Sequence, residues 1–344
     1  MTNITLPPGY TARPPTRDDA QAIADLISAH DLAEYGAPDF DLESLLGDWE
    51  RVGFALERDA CLILAPDGQI VSYAEVWERK PGVYFQGDGF VHPHSTGRGL
   101  GTAIVQWIEA RSRQTMHNAP ARLIRYVHHP NEQARQLLER EGFQPVRYAL
   151  RMLINMDAPP LTPEWPAGIE PRPFRPGVDD RAVHALITEA FSDLEDFSPM
   201  SFEGWAQLTP ERPDFRPAFS TIAWAGDEMA GVTMCMHWPA MGWVRNLSVR
   251  RAWRKQGLGL ALLSRSFGLF YEQGERTVGL GVDAHNATGA LRLYQNAGMH
   301  VARQYDQYQK SCTGNNTDYR KARIKFAHPG NPCCPIAPIK RNAL

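Results

Sequence analysis

Two glycines stand directly in front of a leucine-rich run in the segment "RKQGLGLALL", which begins at Arg254. Glycine is a poor helix former, so Gly257 and Gly259 need a reason to stand where a helix should begin. The first N–H groups of a helix lack partners within the helix, and the helix dipole adds partial positive charge there. Glycines let a phosphate approach these N–H groups, and Arg251, Arg254 and Lys255 add positive charge nearby. The segment therefore predicts a site for a ligand that carries a diphosphate.

Three classes of diphosphate ligand compete for this segment. A P-loop requires Lys followed by Ser or Thr after the second glycine, where Leu260 and Ala261 stand. A dinucleotide fingerprint requires a third glycine, and Leu262 occupies that place. Coenzyme A remains as the third class. Each glycine taken alone also fits close packing of a helix against a strand, without any ligand.

The glycine pattern occurs twice in the chain. "TGRGLGTAIV", which begins at Thr96, repeats it in the first half and fails the same two fingerprints. Two further pairs of segments match at nearly the same offset: "ARPPTRDDAQAIADLI" with "PRPFRPGVDDRAVHALI", and "NEQARQLLEREGF" with "NATGALRLYQNAGM". Three matches in the same order predict a duplicated domain, because the period is far longer than a solenoid repeat.

The elements around these motifs predict the fold class. The second half reads as strand, helix, hairpin, strand, glycine segment with a long helix, strand, helix and strand. That order predicts an α+β fold with a mixed sheet flanked by helices, present as two tandem domains. Prolines in residues 157–167 predict a linker. We therefore expect one domain at 1–156, a second at 168–310, and an extended or disordered tail at 311–344.

Length and composition exclude several classes of protein. The 344 residues are 43% hydrophobic and 22% charged, which suits two globular domains. A net charge of −3 gives no basic field for nucleic acid or an anionic membrane. The N-terminus lacks a signal-peptide pattern, and no apolar run approaches the roughly 20 residues that span a bilayer. Five scattered cysteines predict neither a disulfide framework nor a metal site. We expect a cytoplasmic monomer or homodimer.

Several motifs together resemble the GCN5-related N-acetyltransferase (GNAT) superfamily. Its Arg/Gln-x-x-Gly-x-Gly/Ala signature is matched without a gap from Arg254 to Gly259, after the strand "NLSV". Its later Asn…Leu-Tyr…Gly-Phe element is similar to "NATGALRLYQNAGM", which begins at Asn286. The doubled arrangement resembles the tandem members of the superfamily, and the resemblance covers roughly residues 10–310.

The resemblance implies that acetyl-CoA lies in a wedge between the fourth and fifth strands of the fold. The fourth strand is then Trp243–Val249, whose main chain would hold the pantetheine arm. The N–H of Leu247 would polarise the thioester carbonyl. The residues thereby implied in coenzyme binding in the second domain are Leu247, Ser248, Val249, Arg254, Lys255, Gln256, Gly257, Leu258, Gly259, Leu260, Asn286 and Tyr294.

The resemblance also implies direct attack of an amine on the thioester. Tyr294 occupies the position of the family's general acid, and the alternative is a tyrosine that only packs. The family often places a carboxylate base on the fourth strand, where Asn246 stands instead. His237 is our catalytic candidate in its place, with Glu195 and Asp196 as further candidates.

The first domain departs further from the family pattern. Leu138 replaces the tyrosine, and a leucine cannot donate a proton. We therefore expect an active second domain and a first domain that binds coenzyme or serves as a structural half. Asp88, near the end of the first domain's fourth strand, leaves a base possible there. The coenzyme-binding residues implied for the first domain are Val91, Thr96, Gly97, Arg98, Gly99, Leu100, Gly101 and Asn131.

These motifs predict acetyl transfer from acetyl-CoA to a primary amine of a small molecule. Acetylation of a protein or peptide amine is one alternative, and a coenzyme A-binding module without catalysis is another. Asp193, Glu195 and Asp196 form an acidic cluster that would attract a cationic amine, unless they are simply a solvated loop.

Overall fold

The computed structural model describes residues 4–51, 53–116, 121–192, 199–238, 241–284 and 289–312. Its strands are Thr11–Arg13 (β1), Ala60–Leu64 (β2), Ile70–Lys80 (β3), Tyr84–Val91 (β4), Ala121–His128 (β5), Gln144–Asn155 (β6), Ile169–Pro173 (β7), Thr221–Ala225 (β8), Glu228–Trp238 (β9), Met241–Val249 (β10), Thr277–Asp283 (β11) and His300–Cys312 (β12). Its helices are Ala20–Tyr35 (α1), Leu42–Trp49 (α2), Leu56–Asp59 (α3), Leu100–Thr115 (α4), Glu132–Arg140 (α5), Asp180–Phe191 (α6), Phe202–Leu208 (α7), Leu258–Glu272 (α8) and Ala290–Asn296 (α9).

The described residues fall into two compact units. Unit 1 contains the described part of residues 1–148 together with 304–312, and unit 2 contains the described part of 149–303. Each unit therefore includes a strand from the other half of the chain, namely most of β12 in unit 1 and most of β6 in unit 2. A single boundary along the sequence does not describe units built from separate stretches of chain, so the boundaries at 156 and 310 stay predictions.

The predicted linker and tail are only partly described. The structure gives neither helix nor strand to residues 157–166. The strand β12 continues to Cys312, and the rest of the segment predicted as a tail lies outside the described residues.

Unit 1 is a mixed sheet with helices on both faces. Its strand order is β1-β2-β3-β4-β5-β12, with β4 and β5 parallel and the other pairs antiparallel. The helices α1 and α2 bury Ile23, Ile27 and Leu45 on one face. On the other face, α4 buries Ile104 and Ile108, which recur at helical spacing and are at most 1% exposed.

Unit 2 repeats this plan with the order β6-β11-β10-β9-β8-β7. Only β10 and β11 are parallel. The helices α6 and α7 cover one face with Val183, Leu186 and Trp205. The helices α8 and α9 cover the other face with Phe267 and Tyr294 among their buried residues. The prediction of two tandem domains, each a mixed sheet flanked by helices, is confirmed.

The described residues lack two further features. No helix there has the length and apolar content of a transmembrane segment. Within the same part of the chain, no three His, Cys, Asp or Glu side chains are grouped so that they could hold a metal ion.

Candidate active site

The parallel strands β10 and β11 of unit 2 pair only near their first residues. Gly242 pairs with Val278 and Trp243 with Gly279, and the described parts of the two strands pair no further. A strand that loses its neighbour leaves main-chain donors and acceptors without a sheet partner. A wedge therefore opens between β10 and β11 toward their C-terminal ends.

A β-bulge in β10 stands at the start of this wedge. The register of β10 against β9 shifts at Arg245, and a bulge bends and twists its strand. Beyond the bulge, Leu247 and Val249 on β10 and Gly281 on β11 are half-buried, although most other residues of both strands are buried. The wedge is therefore open to solvent.

The helix α8 begins just beyond the end of β10. Gly257 is its N-cap at φ +85°, a left-handed conformation, and a Cβ there would meet nothing within 4 Å. The N–H of Ala261 donates to the carbonyl of Gly257 at 3.0 Å. The N–H groups of Leu258, Gly259 and Leu260 precede this bond, so they point out of the helix and are suited to an anion.

The polar residues before this helix have different surroundings. Arg254 donates from Nε to the carbonyl of Val249 at 3.1 Å and from Nη2 to that of Ala190 at 2.8 Å. Its guanidinium thus ties the end of β10 to the end of α6, and its role as a phosphate ligand stays a prediction. Lys255, at φ +61°, and Gln256 are exposed beside the three N–H groups.

The two glycines of the motif have different surroundings. A Cβ on Gly259 would lie 3.4 Å from a methyl carbon of Leu293 on α9, which is an ordinary contact, so the packing there does not require glycine. Gly257 stands in open space and is needed for its left-handed backbone, so close packing of a helix against a strand does not explain it.

Tyr294 lies in the buried cluster beside the wedge. It is 9% exposed, and Leu247 and Leu260 pack against the same cluster. Burial raises the pKa of the Tyr294 phenol to about 12. The phenol is therefore protonated at neutral pH, which is the state that a proton donor requires.

Polar side chains line the face of β10 that looks toward α6 and α7. The Nε of Arg245 donates to Oγ1 of Thr209 at 3.0 Å. Asn246 and Ser248 are 1% and 2% exposed. Neither the side-chain amide of Asn246 nor Oγ of Ser248 has a hydrogen-bond partner among the described residues. Leu247 packs on the α8 side, so the alternation of a strand sends its two neighbours toward α6. Buried polar groups without partners are costly, which indicates a place for a ligand.

Sequence reasoning missed these two side chains. It treated Asn246 only as the replacement of a carboxylate and Ser248 only as main chain. A signal was present, because two polar residues alternate within an otherwise buried strand.

The structure does not bring His237 to the wedge. His237 stands opposite Gly242, at the closed end of the wedge, and its Nε2 lies 2.5 Å from Oε1 of Glu275. Since that carboxylate engages its ring at the end of β10 away from α8, we assign His237 no part in the reaction. The sequence alone could not exclude His237, because its position relative to the wedge depends on the register of β9 against β10.

Four other predicted residues lie outside the described part of the chain. They are Asn286, implied in coenzyme binding, and the acidic residues Asp193, Glu195 and Asp196.

Unit 1 has the same backbone plan around its glycine segment. Gly99 caps α4 at φ +82°, Gly97 has φ +74°, and Leu100 and Val91 are buried. The motif thus forms the same loop in both units, as the repeat predicts. Gly101 lies in the first turn of α4.

The side chains of this loop are engaged within unit 1. Arg98 donates to the Tyr10 hydroxyl at 3.1 Å, and the Thr96 hydroxyl donates to a main-chain carbonyl. Asn131 caps α5 and donates to Glu34 at 2.9 Å. Leu138 is fully buried in the core. These contacts stabilise unit 1 and leave its coenzyme binding a prediction.

The site of unit 2 fits the parts of coenzyme A. Three free N–H groups at a helix N-terminus suit a diphosphate, and the open space at Gly257 lets it approach. The wedge offers unpaired strand main chain to an extended arm with amide groups. A protonated phenol lies beside the wedge. Fold and site together define a coenzyme A-dependent acyltransferase.

Comparison with known proteins gives the family. A model described as the acetyltransferase (GNAT) family matches residues 21–143 and again residues 182–299. The chain belongs to the GNAT family of acetyltransferases and carries its domain twice.

The relatives agree with this assignment. The mycothiol acetyltransferase of Kineococcus radiotolerans is 32% identical over 258 residues, which cover 72% of this chain and 80% of that protein. The crystal structure of a GCN5-related N-acetyltransferase from Sphaerobacter thermophilus is 39% identical, with a TM-score of 0.77, covering 89% of this chain and 97% of that one. A tandem GNAT protein from the clavulanic acid biosynthesis pathway shares the fold, with a TM-score of 0.68 at 16% identity over 89% of this chain and 100% of that one.

Proposed function

We propose that unit 2 transfers the acetyl group of acetyl-CoA to a primary amine of a small molecule. One observation carries the proposal: an open wedge runs from the free N–H groups of α8 to the buried cluster that contains Tyr294. The relatives support the acceptor class, because they are named for a small molecule, mycothiol, rather than for a protein.

The coenzyme would be held mainly by main-chain groups. The N–H groups of Leu258, Gly259 and Leu260 would bind the diphosphate, and exposed Lys255 would add a positive charge beside it. The main chain of β10 beyond its bulge would bind the pantetheine arm as a neighbouring strand would.

The N–H of Leu247 is our candidate donor to the thioester carbonyl. Negative charge develops on that oxygen as the amine attacks, and a donor already in place stabilises it without reorganisation. Removing one such donor typically costs about 10²–10³ in rate.

Tyr294 would act as general acid by donating its phenol O–H to the departing sulfur of the coenzyme. A thiol has a pKa of about 8.5, so a thiolate does not fully deprotonate a phenol with a pKa of about 12. The phenol would therefore stabilise the negative charge that develops on sulfur in the transition state, and the released thiolate would take its final proton from water.

The acceptor would approach from the face of β10 that carries Asn246 and Ser248. Their unpaired polar atoms would bind uncharged donors and acceptors next to the reacting amine. An alkylammonium has a pKa of about 10.4, so the amine must lose a proton before it attacks. Asn246 is not a base, so a partly desolvated pocket would lower the pKa of the ammonium and its proton would pass to water.

The two alternative functions predict different assay results. Acetylation of a protein requires turnover with a polypeptide amine and none with small amines. A coenzyme-binding module requires binding without any thiol release.

The replacement of Tyr294 by Phe tests the proposal. We expect thiol release with a panel of small amines to fall about 10²-fold or more in Tyr294→Phe, while the coenzyme Kd changes little. With Tyr294 as the acid, the wild-type rate should also show no loss below pH 10 from phenol ionisation, because its pKa is raised to about 12.

Tyr271→Phe is the matched control. Tyr271 lies near the other end of α8, where its ring packs under the guanidinium of Arg276, so its activity should equal that of the wild type. Equal activity of wild type and Tyr294→Phe would refute the acid, and absence of release with every small amine would refute the acceptor class.

A further inference from the structure

In unit 1 the strand that corresponds to β10 is β4, and most of it pairs regularly with β3. There β4 pairs with β3 without a shift from Phe85 to Val91, whereas β10 has its bulge at Arg245. The pairing of β4 with β5 continues from Tyr84 to Gln86 before it ends. The described part of β4 therefore has no counterpart of the bulge at Arg245, and the register shift between β3 and β4 lies at Arg79 on β3.

The wedge of unit 1 is also closed to solvent. Val91 and Val249 each end the strand before a glycine segment, so Gly89 corresponds to Leu247 two residues earlier. Leu247 and Val249 are half-buried, but every residue of β4 is buried. Something in unit 1 occupies the space that solvent reaches in unit 2.

Arg125 fills this space. It follows Ile124, the last residue of β5 that pairs with β4, and it is 1% exposed. Its Nη2 lies 3.3 Å from the point where a Cβ on Gly89 would stand. The guanidinium thus reaches across the wedge from β5 to β4, beside the counterpart of Leu247.

Arg125 keeps its charge in this buried place. Burial lowers the pKa of its guanidinium to about 10, while the carboxylate of Asp88, adjacent to Gly89 and fully buried, favours the charged form. Arg125 is therefore charged at neutral pH. Moving it out to admit a ligand would remove this attraction between two buried charges.

We infer that unit 1 has no place for an acyl-CoA arm, so that the chain binds one coenzyme molecule, in unit 2. This inference rests on the proposed function for the location of the bound molecule. The eight residues predicted to bind coenzyme in unit 1 then keep the shape of the loop without its ligand, and unit 1 is the structural half.

Calorimetric titration of the full chain with free coenzyme A tests the inference. We expect one equivalent to bind to the wild type. Gly257→Asp should raise the Kd of this binding about 100-fold or more, because a carboxylate would face the diphosphate at the start of α8. Gly274→Asp is the matched control: Gly274 has φ +90° and open space around it just beyond the other end of α8, so the same substitution there should bind within about threefold of the wild type.

Each outcome decides between the two claims. Two equivalents in the wild type, or one equivalent left in Gly257→Asp, would overturn the inference, since unit 1 would then hold coenzyme. No binding to the folded wild type would leave unit 1 empty as inferred and would instead overturn the proposed function of unit 2.

Discussion

Two buried serines in unit 2, Ser248 and Ser266, differ in their hydrogen-bond partners, and this difference points to the acceptor site. Ser248 has no hydrogen-bond partner among the described residues, whereas Oγ of Ser266 lies 3.0 Å from Oγ1 of Thr233 and 3.2 Å from the carbonyl of Leu262. A hydroxyl that is buried without a partner lowers stability, so its presence favours a role with a ligand.

Alanine variants separate these roles. Ser266→Ala should lower the free energy of unfolding by about 1 kcal/mol and leave the acceptor KM unchanged. Ser248→Ala should raise the free energy of unfolding by about 1 kcal/mol, because it removes a buried hydroxyl without a partner, and should raise the acceptor KM several-fold. Denaturant unfolding and steady-state kinetics measure both quantities. A loss of stability in Ser248→Ala with an unchanged KM would show that Ser248 is only structural.

At this scale the sequence predicted what depends on a local motif. Tyr294 and Gly257 stand at fixed spacings within short segments, so their places could be inferred from the sequence. His237 could not be judged, because its distance from the wedge depends on the register of β9 against β10. The polar wall of Asn246 and Ser248 depends on the same register and on the bulge at Arg245.

At the scale of the element, the start of α8 depends on one backbone conformation. Gly257 has φ +85°, whereas Gly268 lies within the same helix with ordinary backbone, and neither would place a Cβ within 4 Å of other atoms. A Cβ would cause no clash at either position, so a difference between the two alanine variants reports the effect of backbone conformation alone.

Alanine at these glycines should have opposite effects. Gly257→Ala should lower the free energy of unfolding by roughly 1–2 kcal/mol, because a Cβ disfavours the left-handed region. Gly268→Ala should raise it by about 0.5–1 kcal/mol, since alanine is the better helix former. Chemical unfolding followed by circular dichroism measures both. Equal effects in the two variants would contradict the described helix start.

The helices α3 and α4 of unit 1 are joined by a buried ion pair. Arg111 donates from Nε and Nη2 to Oδ1 of Asp59 at 2.9 and 2.6 Å, and both side chains are buried. Burial alone would raise the pKa of Asp59, but hydrogen bonds from Arg58, Ala55 and Arg111 lower it below the usual value. The pair therefore stabilises the fold above about pH 4, and this stability is lost as the pH falls through the lowered pKa.

Methionine variants test this pair. Arg111→Met should cost about 3 kcal/mol at pH 7, because the carboxylate loses its buried partner. Arg58→Met, which removes an exposed partner of the same carboxylate, should cost less than about 1 kcal/mol. The deficit of Arg111→Met should shrink in unfolding experiments below pH 4, as Asp59 becomes protonated. A deficit independent of pH would show that packing, not charge, is lost.

At the scale of the whole molecule, the duplication was legible because each copy repeats motifs at nearly constant offset. The composition of the compact units was not, because β6 pairs with β11 and β12 pairs with β5 over long stretches of chain. Pairing between distant strands is decided by tertiary packing, and a local pattern does not specify the partner. The closed wedge of unit 1 could not be predicted from the sequence for the same reason, because Arg125 and Gly89 are distant in sequence and come together only through tertiary packing.

The proposed function depends on the free N–H groups of Leu258, Gly259 and Leu260 binding the diphosphate of the coenzyme. Amide hydrogen exchange of the full chain with and without acetyl-CoA tests this most directly. We predict that acetyl-CoA slows exchange at these three amides and in β10 beyond its bulge, with no change at the start of α4. Exchange at the start of α8 that stays equally fast with saturating acetyl-CoA would contradict the account.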